Sequence, residues 1–317
     1  MDCITVLLAT YNQKEYIYQA IDSVLMQNYP KIQLIVSDDG SSYFSSREVE
    51  EYICKKNRGN LCDVIVNKNT VNLGTVKNLN EARQYIKGKY VVLLSGDDLF
   101  YDEQVLEKYV QGFENEPETE VLVSQVVHYD EAMETPLFFC LNQEQIALLK
   151  SGDNRLIYAK VCTGCFIPAI GTAYRKELMD KIGAFDERYF LVEDWPYYLK
   201  MLREGARINY IDFISAKHRD GGVSHVKRNR KEERSDRYHK DLICIIKNEI
   251  YPNYQFATPK LQKEVYNYAN DRIVISEFRS EFRSMSFNKK IHWVLKNKNL
   301  PAIFIRGCVR RINDKKN

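Results

Sequence analysis

The sequence predicts an α/β protein with a mostly parallel central sheet flanked by helices, followed by a helical C-terminal region. Three observations support this fold class. Short apolar runs alternate with amphipathic stretches over the first 130 residues, which is the pattern of βαβ units. Residues 90–95 are apolar at nearly every position, as in strands buried on both faces of a sheet. From residue 227 onward the pattern indicates helices of mixed charge.

The length and charge distribution divide the chain into two regions. With 317 residues, 44% of them hydrophobic, the chain can form one large domain and an appendage. We expect an α/β domain at residues 1–225 and a basic helical region at residues 226–317. The second region carries 22 Lys and Arg against 10 Asp and Glu, a net charge of +12, whereas the first carries −9. Such asymmetry favours an anionic lipid or protein partner, and no nucleic-acid-binding motif accompanies it.

The location expected from the sequence is cytoplasmic. No apolar run approaches the roughly 20 residues of a membrane-spanning helix. The first strand begins at about Ile4, which leaves no room for a signal peptide. The apolar and basic segment at residues 303–311 is compatible with contact to the inner face of the membrane, or with a helical bundle that has a solvated basic face. The eight cysteines are scattered, and we expect reduced thiols without a zinc site.

The first two strands each end in a polar turn. Residues 4–9 predict a buried strand that leads into Thr10-Tyr11-Asn12, where Asn12 and Glu15 resemble a capping box for the next helix. Residues 32–36 predict the second strand, which ends in Asp38-Asp39-Gly40-Ser41. Since open α/β sheets bind ligands at the carboxyl ends of their strands, both turns are candidate ligand contacts. The alternative for the second turn is an ordinary loop with an Asp cap.

The third unit offers a basic side chain. Residues 63–67 predict a strand, residues 69–74 a loop and residues 75–86 a helix that carries Lys77 near its start. A lysine at a helix N-terminus can contact a diphosphate. The alternative is a solvated surface residue.

The central strand at residues 90–95 runs into Gly96-Asp97-Asp98. Two adjacent carboxylates repel each other, so a nearby positive charge is expected. A hard divalent cation with oxygen ligands, shared with substrate phosphates, fits this requirement. The alternative is that Asp97 or Asp98 caps the helix predicted at residues 101–115.

The second half of the domain contains a second acidic pair. Residues 121–127 predict a strand, and the apolar stretch between residues 163 and 172 is a candidate acceptor pocket. Glu193-Asp194 precedes a predicted helix at residues 195–205. These carboxylates either complement the helix dipole or supply a general base. Residues 218–225 predict a polar loop that closes over a phosphate or tethers the tail.

Taken together and in order, these motifs resemble family 2 glycosyltransferases with the GT-A fold, and the resemblance covers about residues 3–225. The matching segments are Val6–Asn12, Asp38–Ser41, Asn72–Gly74, Ser95–Asp98, Gly183–Glu187 and Glu193–Trp195. The last 90 or so residues lie outside it.

The resemblance implies a nucleotide-diphosphate sugar donor, most often a uridine one, and a divalent metal, Mn²⁺ or Mg²⁺. It implies that Asp194 is the catalytic base and that Asp98 is the metal ligand. The implied nucleotide-sugar contacts are Ala9, Thr10, Tyr11, Asp38, Asp39 (to the base), Asn72, Lys77 and Asp97 (to the ribose or sugar). The family's Tyr-Arg-x-His element is replaced here by residues 217–220. It therefore stays open whether His218, Asp220 or His225 contacts the metal or the diphosphate.

The function implied is inverting transfer of a sugar to a carbohydrate or lipid-linked carbohydrate acceptor, in the synthesis of a surface polysaccharide such as a capsule or O-antigen. Two alternatives remain. A nucleotidyltransferase also has an α/β sheet and metal-binding acids, but we would expect a Gly-rich basic loop after its first strand. A non-catalytic nucleotide-sugar-binding scaffold would not be expected to keep all four of Asp39, Asp97, Asp98 and Asp194. The helical tail is also compatible with a homo-oligomer.

Overall fold

The computed structural model describes residues 1–14, 16–220, 231–280, 282, 285–297 and 302–303. The strands are β1 (Ile4–Thr10), β2 (Ile32–Asp38), β3 (Leu61–Lys68), β4 (Tyr90–Ser95), β5 (Leu99–Phe100), β6 (Val121–Tyr129), β7 (Pro136–Phe139), β8 (Thr172–Arg175) and β9 (Ile208–Arg219). The α-helices are α1 (Ile17–Leu25), α2 (Ser46–Lys56), α3 (Thr75–Arg83), α4 (Val105–Asn115), α5 (Gln143–Lys150), α6 (Asn154–Cys162), α7 (Lys176–Ile182), α8 (Asp194–Arg203), α9 (Lys231–Ile245), α10 (Pro259–Ser280) and α11 (Phe287–Lys296).

All nine strands belong to one sheet with the order β3-β2-β1-β4-β8-β6-β9-β5, and β7 pairs with β6. The half formed by β3, β2, β1 and β4 is parallel. β8 then lies antiparallel between β4 and β6, while β9 is parallel to β6. The predicted α/β class with flanking helices is confirmed, as is the helical C-terminal region.

The strand register brings the two predicted polar turns to one edge of the sheet. Thr10 pairs with Asp38, and Ala9 lies between Ser37 of β2 and Ser95 of β4. Most residues of β1 and β2 are buried because apolar layers cover both faces of the sheet, whereas Ala9 is partly exposed at the edge. The candidate site therefore rests on well-buried strands of the sheet.

The predicted capping box at Asn12 is wrong. Helix α1 begins at Ile17, with Tyr16 as its N-cap residue. Asn12 instead adopts φ 56°, a left-handed conformation that asparagine tolerates better than most residues. Its backbone N–H donates to Oγ of Ser41 at 2.8 Å, so this residue ties the first polar turn to the second.

The predicted polar loop at residues 218–225 is wrong at its start. Strand β9 continues to Arg219 and places His218 opposite His128 of β6. Residues 221–225, including His225, lie outside the described residues. The fourth helix also begins later than predicted, at Val105, because Leu99 and Phe100 form a short strand paired with β9.

The C-terminal helices share an apolar core with the α/β domain. Leu242 and Ile246 belong to the same buried cluster as Trp195 and Leu199 of α8. α9 continues directly into a π-helical turn, Ile246–Ile250. Among the described residues, no helix combines the length and apolar character needed to cross a bilayer. Apart from residue 303, the segment at residues 303–311 lies outside the described residues.

Candidate active site

Asp98 lies at the centre of the carboxyl edge, completely buried. Its Oδ1 accepts the backbone N–H of Arg219 at 2.9 Å and lies 3.0 Å from Nδ1 of His218. Its Oδ2 has no hydrogen-bond partner among the residues that the structure describes. A buried carboxylate oxygen without a partner is costly, and hard cations are bound by oxygens of this kind. His218 thus contacts the predicted metal ligand, and whether it also contacts a metal or a diphosphate stays a prediction.

The ionisable groups around Asp98 shift one another's pKa values. Burial raises the pKa of the Asp97 carboxyl, and the neighbouring Asp98 carboxylate raises it further, although Oγ of Ser95 donates to Asp97 Oδ1 at 2.7 Å. Burial alone would lower the pKa of His218, but Asp98, Asp97 and Asp220 together raise it above its ordinary value. The acidic side chains of the cluster therefore make His218 bind a proton more tightly than it would in water.

A buried arginine fixes the Asp97-Asp98 turn. Arg219, only 3% exposed, donates from Nε to the backbone carbonyl of Asp97 at 2.9 Å. Its Nη2 donates to Oε1 of Gln19 at 2.8 Å, and its guanidinium lies 4.1 Å from the centroid of the Tyr16 ring. Sequence reasoning assigned no role to Arg219, because the strand that buries it was not predicted.

The first polar turn packs directly on the acidic turn. A Cβ atom at Gly96 would lie 2.6 Å from Oγ1 of Thr10 and from Oε1 of Gln13, so only glycine fits between the turns. Thr10 Oγ1 donates to that same Gln13 oxygen at 3.0 Å. Ala9 and Tyr11 flank Thr10 and are partly exposed, as a ligand contact requires.

The second polar turn holds the loop that leads into α3. Both carboxylate oxygens of Asp39 accept hydrogen bonds there: Oδ1 from the N–H of Leu73 at 2.8 Å and from Nδ2 of Asn69 at 3.1 Å, and Oδ2 from the N–H of Gly74 at 2.9 Å. Burial nevertheless raises the pKa of Asp39. A carboxylate offers about four lone-pair sites, so roughly one remains for a ligand donor.

Three further predicted contacts differ in exposure. Asp38 is fully buried; its Oδ2 accepts the Ser41 N–H at 2.7 Å, and its Oδ1 has no partner among the described residues. Asn72 is exposed. Lys77 is about half exposed and lies 3.9 Å from the carboxylate of Glu187, which makes a weak surface ion pair. The roles predicted for these residues stay predictions.

Asp194 begins α8 and is partly exposed. Its Oδ1 accepts the N–H of Trp195 at 2.7 Å, and the thiol of Cys165 donates weakly to Oδ2 at 3.9 Å. The surrounding protein raises the pKa of Asp194. Burial and the adjacent Asp194 carboxylate raise the pKa of Glu193 to about 8, above neutral pH. Cys165 was not predicted to contact this residue.

The raised pKa of Glu193 predicts that replacing it by Gln stabilises the protein. A carboxyl whose pKa is higher in the folded state binds its proton more tightly there, so the free energy of unfolding falls as pH rises from about 4.5 to about 8. Glutamine does not titrate, so the Glu193→Gln variant does not lose this part of the free energy of unfolding as pH rises. The gain should be absent at pH 4 and reach on the order of 1–2 kcal/mol at pH 8, after discounting for partial solvent exposure.

Thermal unfolding across pH 4–8 measures this difference. Glu50→Gln, at an exposed position of α2, is the matched control and should show no pH-dependent gain. An equal gain in both variants, or a constant gain at all pH values, would contradict the assignment.

The fit of a metal rests on Asp98. Among the described residues, no three His, Cys, Asp or Glu side chains form a group that holds an ion by itself. The unpartnered Oδ2 of Asp98 nevertheless suits a cation that takes its other ligands from a diphosphate and water.

Comparison with known proteins identifies the family. The model of glycosyl transferase family 2 matches residues 5–183. The glycosyltransferase GlyG of Streptococcus pneumoniae is 23% identical over 193 residues, 60% of this chain and 62% of that protein. An uncharacterized glycosyltransferase of Methanocaldococcus jannaschii is 32% identical over 130 residues, 40% of this chain and 43% of that protein. The chain therefore matches less than two thirds of the length of these relatives.

Two solved structures share the fold. Residues 1–349 of Staphylococcus aureus TarS in complex with UDP-GlcNAc superpose with a TM-score of 0.60 at 18% identity, covering 93% of this chain and 79% of that one. The mannosyltransferase PcManGT of Pyrobaculum calidifontis in complex with GDP-Man and Mn²⁺ gives 0.57 at 17% identity, covering 98% and 87%. The matched family model spans more than half of the chain, which shows that this protein belongs to glycosyl transferase family 2.

Proposed function

We propose that this protein is an inverting, metal-dependent glycosyltransferase that moves a sugar from a nucleotide diphosphate to an acceptor hydroxyl. The observation that carries the proposal is that two carboxyl groups, those of Asp98 and Asp194, lie in different surroundings. Asp98 presents a buried oxygen, without a partner among the described residues, at the carboxyl edge of the sheet, while Asp194 lies partly exposed at the start of α8 beside Glu193, whose pKa is raised to about 8. The Asp98 carboxylate is therefore suited to binding a cation, and the Asp194 carboxyl group is suited to accepting a proton.

The donor proposed is a UDP-sugar. Ala9, Thr10 and Tyr11 would contact the nucleotide from the first turn, Asp39 would accept from the base, and Asp97 would contact the ribose or sugar. Support comes from the contacts that hold these turns together: the first polar turn packs on Gly96, and Asn12 donates a hydrogen bond to Ser41 of the second polar turn. It also comes from the TarS and PcManGT structures, which hold UDP-GlcNAc and GDP-Man.

The reaction follows from the placement of charge. Asp194 takes the proton of the acceptor hydroxyl, whose oxygen then attacks the anomeric carbon on the face opposite the diphosphate. The new C–O bond forms as the bond to the phosphate oxygen breaks, so the configuration inverts without a covalent intermediate. A divalent metal held by Asp98 would neutralise charge on the departing diphosphate. Asp97 and His218 set the charge of the pocket that receives it.

The acceptor proposed is a carbohydrate, free or lipid-linked, in the synthesis of a surface polysaccharide on the cytoplasmic side of the membrane. The basic C-terminal region supports contact with an anionic membrane surface. Exposed apolar side chains of α11, including Phe287 and Leu295, would take part in that contact.

A thermal-shift screen tests the donor proposal. UDP with Mn²⁺ should raise Tm by several degrees at about 100 times its Kd, because a ligand of the folded state stabilises by about 2.7 kcal/mol at that excess. GDP, CDP and ADP are the matched controls. Sugar release or transfer from a panel of UDP-sugars then follows. If no nucleoside diphosphate shifts Tm with Mn²⁺ or Mg²⁺, the proposed function is wrong.

A further inference from the structure

We propose that Asp241, in the C-terminal helix α9, is a positioning residue that fixes the segment leading into Glu193 and Asp194. The inference rests on the proposed function, since it takes Asp194 to be the base.

The carboxylate of Asp241 accepts hydrogen bonds from three consecutive backbone amides. Its Oδ2 accepts from the N–H of Leu191 at 2.7 Å, of Phe190 at 3.0 Å and of Val192 at 3.2 Å, and its Oδ1 accepts from Phe190 at 3.1 Å. Asp241 is only 6% exposed. Residues 190–192 belong to no helix or strand, so this side chain takes the place of a backbone partner.

The C-terminal end of α8 is also bound to the C-terminal region of the chain. Nη2 of Arg203 donates to Glu249 Oε2 at 2.7 Å, and Nη2 of Arg188 donates to Glu249 Oε1 at 2.8 Å. Glu249 is 8% exposed and lies in the π-helical turn. The helix that carries Asp194 is therefore held at both ends by carboxylates of the C-terminal region.

The segment also touches the nucleotide side. Phe190 packs so closely on Gly74 that a Cβ atom there would lie 2.7 Å from the Phe190 carbonyl and 2.8 Å from its ring. The N–H of Gly74 in turn donates to Asp39 Oδ2 at 2.9 Å. A continuous path thus runs from Asp241 through Phe190 and Gly74 to Asp39.

A shift of this segment would act on catalysis more than on donor affinity. A general base works only within hydrogen-bond reach of the proton it removes, and a misplacement of about 1 Å can cost on the order of a hundredfold in rate. Most of the predicted donor contacts lie on the strand-end turns, which Asp241 does not touch. Loss of Asp241 should therefore lower kcat and leave the affinity for UDP nearly unchanged.

Asp241→Asn, which keeps the shape and removes the charge, is the test. We expect kcat to fall by about 10–100-fold while KM for the donor and Kd for UDP stay within about twofold. In hydrogen exchange, amides 190–192 should lose protection. Glu264→Gln, at an exposed position of α10, is the control and should change none of these quantities.

The outcomes separate the two proposals. Unchanged kcat in Asp241→Asn, with turnover lost in Asp194→Asn, overturns the positioning role and leaves the proposed function intact. Retained turnover in Asp194→Asn overturns the proposed function itself. If Asp241→Asn and the smaller replacement Asp241→Ser both fail to fold, Asp241 is a core stability residue and the positioning role is wrong.

Discussion

Replacing Asp194 by Asn is expected to abolish sugar transfer while the affinity for UDP stays within about twofold. In the protein, the Trp195 N–H donates a hydrogen bond to Oδ1 of Asp194 at 2.7 Å. The amide oxygen of the substituted side chain can still accept this hydrogen bond, so the start of α8 should be preserved. It cannot accept a proton from an acceptor hydroxyl. Since a positioned general base contributes roughly 10²–10⁴-fold, kcat should fall by at least about 10²-fold.

Single-turnover transfer measured beside UDP titration checks this expectation. Glu193→Gln is the matched control. The pKa of Glu193 is raised to about 8, above neutral pH, so that substitution should leave kcat within about threefold at pH 7. Turnover preserved in Asp194→Asn, or lost equally in Glu193→Gln, would assign the base to another residue.

Replacing Asp98 by Asn is expected to remove the dependence of UDP binding on Mn²⁺. The substituted side chain keeps an oxygen for the N–H of Arg219, so the acidic turn should hold its shape. It loses the negative charge on the oxygen that has no partner. We expect the gain in UDP affinity that Mn²⁺ gives the unchanged protein to fall by at least about tenfold, which corresponds to about 1.4 kcal/mol.

Isothermal titration with UDP, in Mn²⁺ and in EDTA, measures this gain. The unchanged protein in EDTA is the control, and its affinity should equal that of Asp98→Asn in either buffer. An undiminished effect of Mn²⁺ in the variant would contradict the assignment of Asp98 as metal ligand.

The parallel half of the sheet was predictable because its strands are short, apolar and separated by amphipathic helices. The same rule failed for β9. Its exposed and buried positions follow no regular alternation, since its pairing with β6 shifts register twice near Gln125. No strand was predicted before the polar loop at residues 218–225, so His218 and Arg219 could not be placed beside Asp98.

The contacts of the C-terminal region could not be predicted for a different reason. Asp241 binds amides about 50 residues earlier in the chain, and Glu249 binds Arg203 from a turn of unusual helical period. Neither carboxylate stands in a motif. Only the hydrogen bonds of the folded chain, to amides 190–192 and to Arg188 and Arg203, reveal what they hold. For that reason a boundary near residue 225, proposed from charge and resemblance, divides segments that share one apolar core.

The π-helical turn Ile246–Ile250 makes the spacing between Asp241 and Glu249 critical. Such a turn accommodates one extra residue in an α-helix, and each residue of an α-helix turns the chain by about 100°. Deleting a single residue between the two carboxylates would rotate one of them onto a different side of the helix, while the overall apolar composition hardly changed. Length variation at this point should therefore be rare among proteins that keep both anchors, and engineered chimaeras should place their junctions elsewhere.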